Sequence, residues 1–137
     1  MTERLVVIGG DAAGMSAASQ ARRRRPVDDL EILVFERSGW ISFSACGEPY
    51  YIAGEVTDLD SLLARRPEQF AADDIDVRLH HEVTGIDAAS GMVEVRNSDG
   101  TSSFGYDHLV YATGAAPILP DIRDADAVDA FVSEVET

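Results

Sequence analysis

The chain has 137 residues, 45% of them hydrophobic and 26% charged, which suits one small globular domain with a real core and excludes extended disorder. Its 25 acids against 11 bases, every one an arginine, leave a net charge of −14 and argue against nucleic acid or an anionic membrane surface as the main partner. The single cysteine, Cys46, excludes an internal disulfide and any cysteine-cluster metal site, and no metal site is expected.

The first apolar run, Leu5-Val6-Val7-Ile8, is too short for a signal-peptide core or a membrane span, so the expected address is the reducing cytoplasm. The run is continuous and β-branched, as a buried parallel strand is. It ends in Gly9-Gly10-Asp11-Ala12-Ala13-Gly14, after which a small-residue helix is expected from about Ala12 to Arg25, stopped by Pro26. A second apolar run, Ile32 to Phe35, ends at Glu36, and the four pieces make a right-handed βαβ unit. A short helix is expected to start near Cys46, because Pro49 is tolerated only in a first turn, and another from Pro67 to Asp74. From Val77 to Tyr106 the pattern changes to hairpins, with turns at Ala89-Ser90-Gly91 and Ser98-Asp99-Gly100. Leu109 to Ala112 reads as a returning buried strand ended by Thr113-Gly114, and Ala125 to Val135 as an acidic, partly amphipathic helix.

Gly9 and Gly14 match the outer glycines of G-x-G-x-x-G, while Asp11 stands at the middle one. A strand before the turn, a helix after it, and an acid closing the next strand 22 residues beyond Gly14 are what a dinucleotide site needs. The turn brings backbone N–H groups to a pyrophosphate, and Glu36 is placed to bond a ribose diol. A glycine turn that only packs helix on strand would carry the same spacing. Cys46 at a helix N-terminus favours a reactive thiolate, against the commoner fate of a lone cysteine as an inert small hydrophobe. His80, His81 and His108 lie on or beside predicted strands, where structural roles are expected.

The segment Val7 to Ala18, with Ser42-Phe43 through Cys46 to Pro49-Tyr50-Tyr51, resembles the N-terminal part of coenzyme A-disulfide reductases, a branch of the flavin-dependent pyridine nucleotide-disulfide oxidoreductases. Leu109 to Gly114 is similar to the second flavin motif of that family. The resemblance implies an α/β fold: a Rossmann-like FAD-binding domain, with a parallel sheet begun by a βαβ unit and an inserted antiparallel β-meander. It also implies FAD as cofactor and NAD(P)H as co-substrate. Gly9, Gly10, Asp11, Ala12, Ala13 and Gly14 would hold the pyrophosphate, Glu36 and Arg37 the adenosine ribose, and the Val83 backbone the adenine, with Thr113 and Gly114 flanking the cofactor. Cys46 would be the redox cysteine. Ser16, Gln20, Arg23 and Ser42 would contact coenzyme A disulfide or a related persulfide; the first three, at i, i+4 and i+7, share one helix stripe. Ala13, Ala17 and Ala21 form a neighbouring stripe suited to packing on the sheet. Arg22 to Arg25 would suit the phosphates of coenzyme A, although Arg24 and Arg25 are better read as favourable charges at a helix C-terminus.

Two departures stand out. Ala45 replaces an Asn found in some coenzyme A reductases, and Ala12 replaces the histidine of related NADH oxidases and peroxidases. The resemblance further implies that residues 1–137 form an N-terminal FAD-binding segment, Rossmann-like but incomplete. The nicotinamide-binding and dimerisation domains would be absent, and no turnover is expected from the segment alone. The complete protein is expected to be a homodimer. The alternatives are a vestigial flavin-binding module without turnover, and an oxidase-like member of the same family.

Overall fold

The computed structural model describes residues 1–116, so the helix expected from Ala125 to Val135 lies outside the described residues. The elements run β1 (Glu3–Ile8), α1 (Ala12–Arg24), β2 (Leu30–Phe35), a 3-10 turn (Ala45–Gly47), α2 (Glu48–Ile52), a second 3-10 turn (Leu59–Leu62), α3 (Pro67–Ala71), β3 (Asp76–Arg78), β4 (Glu82–Asp87), β5 (Met92–Asn97), β6 (Gly100–Gly105) and β7 (His108–Tyr111). A parallel sheet in the order β3-β2-β1-β7 is covered on one face by α1 and α3 and on the other by the antiparallel meander β4-β5-β6.

The continuous apolar runs follow from burial on both faces. Leu5, Val7, Ile32 and Val34 point to the helices, where they meet Met15, Ala18, Phe70 and Ile75. Val6, Ile8, Leu33 and Phe35 point to the meander and meet Val93 and Val95. Each such side chain, fully buried, is worth about 1.5–3 kcal/mol.

Several expectations are corrected. Val77 belongs to no hairpin: β3 pairs in parallel with β2, Val77 opposite Val34, and forms the outer strand of the parallel sheet. The hairpin sheet begins only at Glu82. The face of α1 turned to the sheet carries Gly14, Met15 and Ala18, with Ala21 partly buried beside them. Ala13 is exposed, so the alanine stripe is not the packing face. α1 itself ends one residue early, because Arg25 is already extended. The helix near Cys46 is a 3-10 turn that runs into α2 only at Glu48. α3 stops at Ala71, and Asp74 turns into the left-handed region at φ +55°. β7 joins β1 as expected but is only half-buried, with Tyr111 70% exposed, since no other described strand pairs with its far edge. No helix among the described residues is long and apolar enough to cross a membrane.

Charges tie the layers together at the N-terminal edge of the sheet. The Arg25 guanidinium binds Glu3, and its Nε donates to Asp29 Oδ2 at 2.6 Å. Hydrogen bonds from Arg25 first, and for Glu3 then from His108, hold both carboxyls below the ordinary carboxylate range. A carboxyl whose pKa is depressed by folding stabilises the fold above its unfolded pKa, and the contribution disappears as pH falls through the folded value. Arg25→Gln is therefore expected to flatten the acid limb of stability below about pH 4. Melting midpoints across pH 2–7 read this directly, and identical slopes for variant and parent would remove the cluster from the acid response.

Candidate functional site

The turn after β1 sets the geometry. Gly9 has φ +104°, and a Cβ there would lie 2.3 Å from the Ala112 carbonyl oxygen. A Cβ on Gly14 would lie 1.9 Å from the Gly9 carbonyl oxygen, so α1 starts almost in contact with the strand that feeds it. Gly10 donates its N–H to Glu36 Oε2 at 2.7 Å, and Ser38 donates its own to Glu36 Oε1 at 2.8 Å. Glu36 thus locks the glycine turn to the end of β2. A carboxylate offers about four acceptor positions, which leaves two for a ligand. The Asp11 side chain makes no cap bond, so the first-turn amides of α1 lack the usual side-chain acceptor.

The segment bearing the cysteine is pinned against this turn. Ser42, at φ +49°, donates its N–H to the Gly10 carbonyl at 2.9 Å, and its own carbonyl accepts from Ala64 N at 2.9 Å. Ser44 N donates to the Leu62 carbonyl at 2.8 Å, beside a bridge between Phe43 and Leu63. A Cβ on Gly47 would lie 2.4 Å from Leu62 Cδ2, so glycine lets the 3-10 turn settle on that leucine. Cys46 emerges from the turn exposed and unbridged.

Two grooves result. The first, of about 730 Å³, is lined by Asp11, Ala12, Ser16, Gln20, Arg23, Ser42 and Cys46 together with Met15, Ser19, Phe43, Ser44, Ala45, Ala64, Arg65 and Phe70. The cysteine and all four residues expected to contact substrate therefore share one surface. Of the arginine run only Arg23 reaches it. Arg22 donates to the Asp74 carbonyl at 2.9 Å and to the Arg25 carbonyl at 3.1 Å, while Arg25 serves the Glu3 cluster. The second groove, of about 440 Å³, gathers Gly9, Asp11, Glu36, Arg37, Val83, Thr113 and Gly114, with His81 and Glu82 beside them. Asp11 belongs to both.

Not every residue of the glycine turn lines the second groove. Gly10, Ala13 and Gly14 lie outside its wall, where Gly10 and Gly14 shape the turn, and Ala12 faces the cysteine groove. His81 is structurally engaged: Nδ1 is 2.6 Å from the Leu79 carbonyl, Nε2 is 3.1 Å from Asn97 Nδ2, and the ring stacks on Phe35. Ser19, Arg65 and Phe70 are cysteine-groove residues that no sequence motif announced. The one available signal was the proline two residues after Arg65, which marks the helix that carries Phe70.

The sequence profile of the family described as pyridine nucleotide-disulphide oxidoreductase matches residues 3–137. An NAD(P)H sulfur oxidoreductase (CoA-dependent) from Pyrococcus abyssi is 39% identical over 132 residues, covering 96% of this chain and 28% of the relative. A coenzyme A disulfide reductase from Staphylococcus haemolyticus is 32% identical over 145 residues, covering 96% of this chain and 32% of the relative. The crystal structure of reduced Bacillus anthracis CoADR-RHD superposes with a TM-score of 0.83 at 32% identity, over 98% of this chain and 27% of that one. The chain spans about a third or less of the length of the relatives it matches.

Proposed function

Because this chain belongs to the pyridine nucleotide-disulphide oxidoreductase family, whose characteristic cofactor is FAD, we propose that it is the FAD-binding and thiol-bearing part of an NAD(P)H-dependent reductase of coenzyme A disulfide or a related persulfide. The observation that carries this reading is the junction at Asp11, where a groove holding Cys46 meets a groove holding Gly9 and Glu36. The names of the Pyrococcus and Staphylococcus relatives supply the substrate class. The relatives' greater length leaves room for a nicotinamide site and a dimer interface outside the matched segment. A free thiol as redox centre suits the reducing cytoplasm.

The residues fit the cofactor. Glycine at 9 and 14 permits the close packing of the turn on β7 and of α1 on β1, and the uncapped start of α1 offers N–H groups to a pyrophosphate. Glu36 has acceptor positions left for the ribose hydroxyls, Arg37 lies beside it, and the Val83 backbone, Thr113 and Gly114 close the rim. FAD, when bound, supplies an electron pair taken from NAD(P)H.

Cys46 does the covalent work. Its thiolate attacks one sulfur of the disulfide, a Cys46–S–S–coenzyme A bond forms, and the second coenzyme A leaves as its thiolate. Two electrons then cleave that mixed disulfide, releasing the remaining thiolate and restoring Cys46. Ser16, Gln20, Arg23 and Ser42 hold the substrate alongside, with Arg23 facing its phosphates. Ala12, in the lining of the same groove, brings no proton-donating side chain to it, which disfavours oxygen or peroxide as the acceptor.

Flavin titration tests the cofactor half of this reading. Glu36→Ala is expected to weaken FAD by about 1.5–3 kcal/mol, the size of charge-assisted hydrogen bonds. An unchanged Kd would take Glu36 off the ribose. A complete parent protein that purifies colourless and takes up no FAD would overturn the assignment.

A further inference from the structure

The cysteine groove gathers cations in a chain of net charge −14: its lining carries Arg23 and Arg65 against Asp11, while Asp73, which pairs with Arg65, stands outside the lining. The two arginines differ in how they are held. Arg23 is exposed on α1, and among the described residues its one side-chain bond is a 3.4 Å contact to Gln20 Oε1. Arg65 is anchored on three sides. Nη1 donates to Ser19 Oγ at 3.2 Å, and Nη2 donates to the Gln69 carbonyl at 3.1 Å and to Asp73 Oδ2 at 2.8 Å. Its guanidinium also lies 4.0 Å from the centre of the Phe70 ring.

A guanidinium has five N–H donors, and three are engaged here. Two remain, on a group that is half-buried, stacked and already oriented, so an anion reaching it meets little further ordering cost. We propose that Arg65 is a second anion contact of the substrate groove, selecting disulfides that carry phosphate over neutral ones, with Ser19, Gln69, Asp73 and Phe70 as its positioning residues. The proposal rests on the reading of this groove as the disulfide site. Arg23 follows the substrate as it moves, whereas Arg65 provides the fixed point.

The test is the rate at which Cys46 in the 137-residue chain forms a mixed disulfide, followed by intact-protein mass, with coenzyme A disulfide and with neutral hydroxyethyl disulfide. The quantity read is the ratio of the two rates. The parent chain is expected to prefer coenzyme A disulfide, and Arg65→Gln to lower the ratio about tenfold, as the loss of a charge-assisted contact does. Arg65→Lys, which keeps the charge but not the fork to Ser19, Gln69 and Asp73, is expected to retain part of the preference. Arg66→Gln removes the same charge next door, outside the groove, and should leave the ratio unchanged. A loosened groove would slow both disulfides together, so a ratio untouched by Arg65→Gln overturns the proposal. So does a Lys variant that falls as far as Gln, or an Arg66→Gln ratio that falls equally. A parent chain with no preference at all overturns the disulfide reading beneath it, a failure distinct from the others.

Discussion

Cys46→Ser in the complete protein is expected to bring disulfide reduction down to the uncatalysed background while flavin reduction by NAD(P)H continues. The reason is chemical. A serine hydroxyl cannot form a bond to sulfur that an electron pair later cleaves, so the exchange has no first step. The groove should be preserved, because Cys46 is exposed and the turn carrying it is held by Ser42, Ser44 and Gly47. Stopped-flow reduction of the flavin, run beside steady-state turnover of coenzyme A disulfide, separates the two halves of the cycle. Undiminished disulfide turnover in the serine variant would remove Cys46 from the mechanism and leave the groove a binding surface.

Gly14→Ala should cost about 3 kcal/mol or more, because the added Cβ meets a carbonyl oxygen at 1.9 Å and Val7 Cγ1 at 3.1 Å. Neither neighbour yields easily. The oxygen belongs to the Gly9 backbone and the methyl to a side chain with no exposure. Relief requires α1 to lift off β1, which opens the core and carries the first-turn amides away from the second groove. The melting midpoint should fall by about 10 °C or more for a domain of this size, and FAD affinity should fall with it. Gly85→Ala is the matched control: its Cβ meets only Glu94 Cβ, at 3.6 Å, and little change is expected. A Gly14→Ala protein that melts and binds flavin like its parent would show that the turn is more compliant than its contacts imply.

Much of the site was legible along the chain because its parts are local. The family resemblance singled out Ser16, Gln20 and Arg23, helical periodicity puts them on one stripe, and the three do share a groove with Cys46 and Ser42. The placing of Glu36 at the end of β2 follows from the length of a βαβ unit, and its carboxylate does meet the glycine turn. The grooves were harder to assign residue by residue. Ala12 sits in the glycine motif yet lines the cysteine groove, because successive residues of a helix start point in directions about 100° apart. Arg65 is 42 residues from Arg23 along the chain and shares its groove only because Phe70 docks α3 under the sheet.

The amino-acid sequence by itself determined the order of the main elements, the glycine turn, the two hairpin turns of the meander and the place of the thiol just ahead of a short helix. Each of these is written in short-range patterns: continuous apolar runs, glycine spacing, turn residues and a proline in a first turn. Only the tertiary structure decided which sheet takes β3, which face of α1 meets the core, and that two grooves meet at Asp11. Val77 would alternate equally well in a hairpin or on the outside of a parallel sheet. What selects the second is the landing of Ile75 and Phe70 against Val34 and Ile32, contacts more than thirty residues apart in the chain. Strand partnership and helix facing are set by the summed burial of such distant pairs, a quantity that no local pattern contains.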